Sequence, residues 1–284
     1  MRIITTVREM QETAERLRRE GKRVGVVPTM GYLHAGHTSL IAKARELSDV
    51  VITTIFVNPT QFGPGEDFER YPRDFERDRS LAEKAGSDII FNPDVREMYP
   101  EGFATSVEVE HGSTILEGKF RPMHFRGVTT VVSKLLNITK PHVAVFGQKD
   151  AQQAFLIQKM ARELNVDVSI VVAPIIREPD GLALSSRNVY LTPSERERAV
   201  QLFRSLKFAE GRIQNGERSV AALRTEMERM IQSAQPSQVD YITFVRPDMF
   251  QEIELLQPPS VVAALAVRFG KTRLIDNSII NVPA

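Results

Sequence analysis

The sequence predicts an α/β fold, a doubly wound parallel sheet followed by a smaller C-terminal α+β domain, from three observations. Strand-like apolar runs alternate with helical patterns over roughly the first 175 residues, as in parallel sheets joined by right-handed crossovers. The run Val50–Val57 is continuous and rich in β-branched residues, which is typical of a strand covered on both faces. Past residue 185, two helical patterns precede three strand-like runs. We therefore predict domains at residues 1–184 and 185–284.

Composition narrows the classes of function. The 284 residues carry 37 basic and 36 acidic side chains, a net charge of +1, which disfavours a general nucleic-acid binder. The absence of cysteine excludes disulfides, thiolate nucleophiles and zinc–thiolate sites, and it fits a reducing compartment. The sequence shows no charged-then-apolar leader and no apolar stretch of bilayer length. We therefore predict a cytoplasmic protein that binds neither a membrane nor nucleic acid.

The first elements can be placed individually. Thr6 followed by Glu9 fits a capping box at the start of an amphipathic helix, and Gly21 suits the position just past its end. The apolar run Val24–Val27 predicts a buried strand. Pro28 is expected to stop this strand, because proline cannot donate to a strand ladder.

The later elements follow from runs of the same kinds. Further strands are predicted at Val50–Val57, Asp88–Phe91, Val143–Phe146, Val166–Val172, Val239–Val245, Val261–Phe269 and Thr272–Asp276. Further helices are predicted at Asp74–Ala85, at Val128–Ile138, past Asp150, from Thr192 toward Gln214, and after Ser219. Thr192, Pro193 and Glu195 supply a cap, a first-turn proline and a capping-box glutamate for the long helix.

The segment between the first buried strand and the next helix contains Gly31, His34, Gly36 and His37. Glycines let the backbone turn and approach a ligand, and the N–H groups and dipole of a helix N-terminus favour an anion. The segment matches neither the GxGxxG pattern nor the Walker loop. We interpret the two imidazoles as donors to a nucleotide phosphate; a metal site and buried structural histidines are the alternatives.

Polar residues follow two other predicted strands. Gln61 lies in a turn-rich loop after Val50–Val57, at the edge where open α/β sheets bind ligands. Gln153 lies one helical turn past Lys149 and Asp150. The two amides suggest recognition of a small polar molecule, whereas solvated loop residues are the alternative. Lys149 can neutralise a phosphate, and Asp150 can hold a ribose hydroxyl or cap a helix.

Two further segments offer anion-binding groups. Ser185-Ser186-Arg187 supplies two hydroxyls and a guanidinium for a phosphate, with an N-cap and a surface arginine as the alternative. Arg121 with His124 is either a second anion site or a solvated loop. Tyr71 has a packing alternative, and Asp180-Gly181 is interpreted as a turn.

Five motifs, in order along nearly the whole chain, resemble the pantothenate synthetase family, also called pantoate–β-alanine ligase. They are PTMG-x-LH-x-GH at 28–37, FVNPTQF at 56–62, YPR at 71–73, FGQKD-x-QQ at 146–153 and REPDGLA-x-SSRN at 177–188. The resemblance implies the Rossmann-like fold of the H-x-G-H nucleotidylyltransferase group, in which the SSR segment corresponds to the KMSKS loop of class I aminoacyl-tRNA synthetases. It also implies that the second domain closes over the active site.

The resemblance implies roles position by position. It makes His37 the proton donor and His34 its phosphate-binding companion, adds Lys149 and Arg187 as catalytic cations, and places Ile176 against adenine. The residues that it implies at ATP are Met30, Gly31, Tyr32, Leu33, His34, Ala35, Gly36, His37, Gly147, Gln148, Lys149, Asp150, Ile176, Leu184, Ser185, Ser186 and Arg187. Those implied at pantoate and β-alanine are Gln61, Gln153, Asn58, Tyr71, Arg121 and His124.

Three positions depart from the family pattern. Ala35 stands where an acidic residue is common, and Leu184 replaces a usual methionine at similar volume. Met123 replaces a common glycine. If that glycine needs a positive φ, the loop around Arg121 and His124 is expected to differ here.

The activity implied by the resemblance is the ATP-dependent condensation of pantoate with β-alanine, through a pantoyl adenylate, in pantothenate and coenzyme A biosynthesis. Magnesium is expected with ATP, held through phosphates and few protein groups, and no protein metal ligand is assigned. The family resemblance also implies a homodimer. The alternatives are a nucleotidylyltransferase that leaves the nucleotide on its product, a nucleotide sensor without turnover, and an RNA-binding module.

Overall fold

The computed structural model describes residues 1–66 and 68–283. The chain divides into two compact units, one formed by Met1–Gln148 with Leu156–Pro174 and the other by Lys149–Phe155 with Ile175–Ala284. Residues 175–184 thus lie with the second unit, where an isolated bridge joins Arg177 to Ala183. The domain boundary after residue 184 and the closure of the second domain stay predictions.

The first unit contains a parallel sheet of six strands in the order β1-β4-β3-β2-β5-β6. The strands are β1 Arg2–Ile4, β2 Val24–Thr29, β3 Val50–Ile55, β4 Ile89–Phe91, β5 Val143–Gly147 and β6 Ser169–Ala173. The order reverses at β2, so the loop after β2 lies at the switch point where open α/β sheets bind ligands. The predicted doubly wound parallel sheet is confirmed.

Seven helices are described between residues 1 and 174, and the last of them begins in the second unit, at residue 151. They are α1 Val7–Arg19, α2 Ala35–Leu47, α3 Phe75–Lys84, α4 Val95–Met98, α5 Glu117–Phe120, α6 His124–Thr139 and α7 Ala151–Glu163. The Thr6 hydroxyl accepts from the Glu9 backbone N–H and caps α1 as predicted. The Glu9 carboxylate instead accepts from Arg2 Nη2 at 2.7 Å.

One expectation about the strands is wrong, and one strand was not predicted. Pro28 does not stop β2, which continues to Thr29 and pairs Pro28 with Thr54 of β3. Proline is tolerated because pairing on the other side, with β5, ends at Val26, so no ladder bond is lost there. The short edge strand β1 escaped the sequence analysis, since three residues carry too little pattern to be recognised.

The second unit contains an antiparallel sheet in the order β7-β8-β9, formed by β7 Gln238–Val245, β8 Ser260–Phe269 and β9 Thr272–Asn281. Its helices are α8 Pro193–Ala199, α9 Gln201–Gln214 and α10 Val220–Gln232. The Thr192–Glu195 capping box forms as predicted, but the long helix is divided at Val200. One apolar core joins these helices to the sheet and includes Leu206, Met227 and Phe244.

Across residues 1–66 and 68–283, no helix is both long enough and apolar enough to cross a lipid bilayer.

Candidate active site

The turn after β2 orients two imidazoles at the start of α2. Gly31 takes a φ of 83°, and its N–H donates to the Thr29 hydroxyl at 3.2 Å. His34 is the N-cap residue, with Nδ1 accepting from the Gly36 N–H at 3.1 Å. His37 Nδ1 accepts from the His34 N–H at 3.4 Å, and the ring centroids lie 4.1 Å apart. The two imidazoles lie at the start of a helix, as the sequence predicts.

The two Nδ1 contacts decide which nitrogen of each ring carries a proton. Because Nδ1 accepts in both residues, the neutral imidazoles are protonated at Nε2, the atom that donates. Both side chains are half-buried, and both cap the start of α2. In the part of the chain that the structure describes, no group of three or more His, Cys, Asp or Glu side chains could hold a metal ion. Two Nε2 donors at the N-terminus of a helix suit an oxyanion.

Asp78 of α3 holds the same turn and escaped the sequence analysis. Its carboxylate accepts from the Tyr32 N–H at 2.7 Å and from the Leu33 N–H at 2.6 Å, and the residue is 1% exposed. Burial raises the pKa of Asp78, although both backbone donors act in the opposite direction. Periodicity placed Asp78 in a helix, but its partners lie 45 and 46 residues away in the sequence.

Gln61 and Asn58 lie at the end of β3, at the 3-10 helix Pro59–Gln61. The Asn58 Nδ2 donates to Gln61 Oε1 and to the Gly127 carbonyl of α6, both at 3.1 Å. Gln61 Nε2 lies 3.0 Å from the Met30 sulfur, so the structure joins Gln61 to the turn after β2. Both amide residues are buried, and the solvated-loop alternative for Gln61 is wrong.

Arg121 and His124 are joined to this group through Gln61. Arg121 forms an ion pair with Glu66, at 2.6 Å from Nη2 to Oε2 and 2.8 Å from Nε to Oε1. Its Nη1 lies 3.2 Å from His124 Nε2. His124 Nδ1 lies 2.8 Å from the Gln61 carbonyl oxygen, which can only accept, so His124 carries its proton on Nδ1. A solvated loop is therefore the wrong alternative for this pair.

The environment of His124 disfavours its charged form. Burial, with the Arg121 charge added to it, lowers the pKa of His124 to about 4. A second proton would have to be placed on Nε2, which faces the Arg121 guanidinium. His124 is thus neutral at physiological pH.

Met123 and Tyr71 complete this region. Met123 adopts a φ of 70° immediately before α6, so this chain keeps a left-handed residue where the family commonly has glycine. Methionine thus adopts a positive φ here, and the expectation that the loop differs stays a prediction. Tyr71 is 5% exposed and packs edge-on against Phe62, with ring centroids 6.0 Å apart. The packing interpretation of Tyr71 is thus supported.

The loop after β5 contains four of the residues proposed to bind ATP. Gly147 and Gln148 belong to the first unit, and Lys149 and Asp150 belong to the second. Gly147 ends β5 and pairs with Ala173, and Gln148 begins a 3-10 helix that leads into α7. In the second unit, Lys149 Nζ lies 3.7 Å from Asp150 Oδ1. The Lys149 carbonyl accepts from Asn277 Nδ2 of β9 at 2.9 Å.

The segment 176–187 of the second unit is folded back on itself. The Leu184 N–H donates to the Ile176 carbonyl at 3.0 Å. The Ser185 hydroxyl accepts from the Arg187 N–H at 3.3 Å and caps the 3-10 helix Ser186–Tyr190, so the N-cap alternative for Ser185 is confirmed. Asp180 accepts from the Leu182 N–H at 3.2 Å, as the predicted turn requires.

A buried ion pair holds this segment to β9 and escaped the sequence analysis. Arg177 Nη1 and Nη2 contact the two Asp276 oxygens at 2.7 and 2.9 Å, in the bidentate arrangement that arginine favours. Burial raises the pKa of Asp276, and the Arg177 guanidinium opposes that rise. No local pattern pairs residues 99 positions apart.

Comparison with known proteins extends these observations to the whole chain. A family profile described as Pantoate-beta-alanine ligase matches residues 2–279. The chain is 58% identical over 279 residues to the pantothenate synthetase of Chloroherpeton thalassium, covering 98% of each chain.

Solved structures agree with the profile. A pantothenate synthetase from Thermus thermophilus matches with a TM-score of 0.92 at 44% identity, over 98% of this chain and 99% of that one. A pantoate-beta-alanine ligase from Francisella tularensis, complexed with beta-gamma ATP and beta-alanine, matches with a TM-score of 0.79 at 35% identity, over 98% and 97% of the two chains. The resemblance inferred from five motifs is confirmed: the chain belongs to the pantoate–β-alanine ligase family.

Proposed function

We propose that this protein condenses pantoate with β-alanine in an ATP-dependent reaction that yields pantothenate, AMP and pyrophosphate. The similarity to pantothenate synthetases along the whole chain carries the proposal. The complex of the Francisella relative with beta-gamma ATP and beta-alanine supports the choice of substrates. The site of this chain supplies the donors that such a reaction needs, without any covalent nucleophile.

The chemistry has two steps. A carboxylate cannot form an amide directly at neutral pH, because an oxide-type group would have to leave. The pantoate carboxylate attacks the α-phosphorus of ATP, and the bond to pyrophosphate breaks. The β-alanine amine then attacks the acyl carbon of pantoyl adenylate, and AMP leaves. The protein therefore has to position the reactants and stabilise the charge on the phosphates.

In the first unit, His34 and His37 would stabilise that charge through Nε2, the nitrogen left protonated when Nδ1 accepts from the backbone. His37 is the proposed proton donor. The N-terminus of α2 adds its dipole to the same phosphates. The backbone from Met30 to Gly36 is proposed to approach the nucleotide, which the positive φ of Gly31 allows.

In the second unit, Lys149 and Arg187 are the proposed cations for phosphate, and Asp150 is proposed to hold the ribose. Ile176 is proposed to lie against adenine. The segment 184–187 is proposed to shield the adenylate from water, as mobile loops do in many enzymes. Protection of this segment from proteolysis by ATP would support that role, and cleavage unaffected by ATP would contradict it.

Gln61 and Gln153 are the proposed pantoate ligands, and Gln61 also borders β-alanine. Asn58 and His124 support Gln61 through the contacts described above, and Arg121 Nη2 donates to the Gln61 carbonyl oxygen at 3.4 Å. Tyr71 is proposed to form a wall of this site.

The proposal includes magnesium, a homodimer and a cytoplasmic location. Because the described residues offer no metal-binding cluster, magnesium would be held mainly by triphosphate oxygens. The homodimer follows from the family resemblance and is tested by light scattering of the purified protein. The absence of cysteine supports a reducing location.

The test is AMP release from ATP with magnesium, with and without D-pantoate and β-alanine. AMP that appears only with both substrates supports the ligase. A nucleotidyl group retained on the product would favour a nucleotidylyltransferase, and ATP binding without turnover would favour a nucleotide sensor.

A further inference from the structure

The orientation of the Gln61 amide is determined by a backbone carbonyl outside the ligand-facing residues. The nitrogen and oxygen of an amide side chain are nearly identical in shape, so their partners must decide the orientation. The Gly127 carbonyl can only accept, so the Asn58 atom at 3.1 Å from it is Nδ2. The same Nδ2 faces Gln61 at 3.1 Å, which requires Oε1 there. Gln61 Nε2 therefore points away from Asn58.

The opposite side of the Asn58 amide is held by Tyr99. The Tyr99 hydroxyl donates to Asn58 Oδ1 at 2.8 Å, and the Thr60 hydroxyl donates to the same oxygen at 3.0 Å. The Tyr99 ring packs against Phe56 and Phe103, with centroid distances of 6.1 and 5.0 Å. Burial raises the pKa of Tyr99, so the hydroxyl stays protonated and remains a donor.

Gln61 Nε2 has a weak partner that a ligand can replace. It lies 3.0 Å from the Met30 thioether sulfur, a poor acceptor compared with oxygen. Met30 belongs to the turn that carries His34 and His37, so a ligand oxygen at this place would lie beside the proposed phosphate site. A carboxylate or hydroxyl oxygen of a ligand would accept a hydrogen bond from Nε2. A ligand group that can only donate would face another donor there and form no hydrogen bond.

We propose that Tyr99 is a positioning residue that acts through Asn58 to present the N–H donors of Gln61 to the substrate. This inference rests on the proposed function, because the substrate whose binding Tyr99 would affect is pantoate.

The first test is Tyr99→Phe, which removes only the hydroxyl. The loss of one neutral hydrogen bond predicts a rise in KM for pantoate of about threefold to tenfold, with kcat and the KM for ATP changed less than about twofold. Phe103→Leu is the matched control, since it alters the packing of the same ring but removes no hydrogen bond. A variant that merely loosened the fold would change kcat and both KM values together.

Thr60→Val provides a second variant if Tyr99→Phe fails to fold. It removes the other hydroxyl donor to Asn58 Oδ1 and keeps the side-chain shape. Its expected effect has the same direction, a selective rise in the KM for pantoate. A Thr60→Val protein with unchanged KM for pantoate would contradict the proposal.

A double-mutant cycle decides whether Tyr99 acts through Gln61. In a Gln61→Ala background, Tyr99→Phe should change kcat/KM for pantoate less than about twofold. Effects that multiply would overturn the proposal, as would a Tyr99→Phe enzyme with unchanged KM for pantoate. A wild-type protein that releases no AMP with pantoate would overturn the proposed function itself, so the two failures are distinguishable.

Discussion

The His34–His37 turn and the Gln61 pocket, defined as Asn58, Gln61, Arg121 and His124, lie in the same unit but are held by different contacts. In the turn, the backbone N–H groups that donate to the two Nδ1 atoms are two or three residues away in the sequence. In the pocket, the contacts that join its separate elements span 55 to 69 residues, as for Arg121 with Glu66 and Asn58 with Gly127.

The difference shows how much context each region needs. The turn forms when a strand, a glycine and a helix start follow one another, so a short motif suffices. The pocket forms only where α6 packs against the 3-10 helix Pro59–Gln61, and that contact depends on Gly127. A β-carbon on Gly127 would overlap the Thr60 carbonyl oxygen. We therefore expect the turn to control chemistry, and the pocket to couple stability with substrate binding.

The largest effect is expected in the turn. His37→Ala removes the proposed proton donor and should slow adenylate formation about 100-fold to 10,000-fold, the range for a positioned acid. The unfolding free energy should change little, because the capping contact that it removes is long, at 3.4 Å. Single-turnover pyrophosphate release measures the rate, and the exposed His111→Ala is the matched control. A normal rate of adenylate formation in His37→Ala would contradict the role of His37 as proton donor.

Acid should act on the pocket through His124. Its pKa of about 4 in the folded state lies below the ordinary value of 6.5, so the unfolded state binds the proton first as pH falls. The unfolding free energy therefore falls by about 3 kcal/mol as pH drops from 6.5 toward 4, and the full value is kept above pH 6.5. Urea unfolding of wild type and His124→Gln between pH 7 and 4 measures it. Parallel pH curves for the two proteins would contradict the prediction.

Gly127→Ala should break the docking of α6 on the 3-10 helix. Overpacking at this contact should lower the unfolding free energy by about 1–3 kcal/mol and raise the KM for pantoate. Gly211→Ala in α9 is the matched control, because its added β-carbon meets no atom within 4 Å. That control should stabilise the protein by about 0.5–1 kcal/mol. Equal effects of the two substitutions would argue against a tight contact at Gly127.

The smallest effect is expected at Met123, which is 59% exposed and has a φ of 70°. Met123→Gly should relieve about 1–2 kcal/mol of backbone strain in the left-handed region. Part of this gain is lost, because glycine raises the conformational entropy of the unfolded chain. A net stabilisation of about 0.5–1 kcal/mol is expected in thermal or urea unfolding. Met123→Ala keeps the strain and should gain nothing. A Met123→Ala protein as stable as Met123→Gly would contradict this explanation.

Most elements were predictable because their signals are local. The caps at Thr6 and Thr192 and the helix beside His34 and His37 are confirmed, since each needs only a few neighbouring residues. The path of β2 through Pro28 was not predictable, because the effect of a proline depends on which neighbouring strand pairs with it.

By itself, the sequence determined the fold class, the family and the segments that carry the candidate site. These follow from hydrophobic period, capping residues and short motifs, all of which act over a few residues. Only the tertiary structure decided the hydrogen bonds of Asp78 to the turn, the pairing of Arg177 with Asp276, and the orientation of Gln61. Each joins groups far apart in the chain, whose burial and donor directions exist only once the helices have packed.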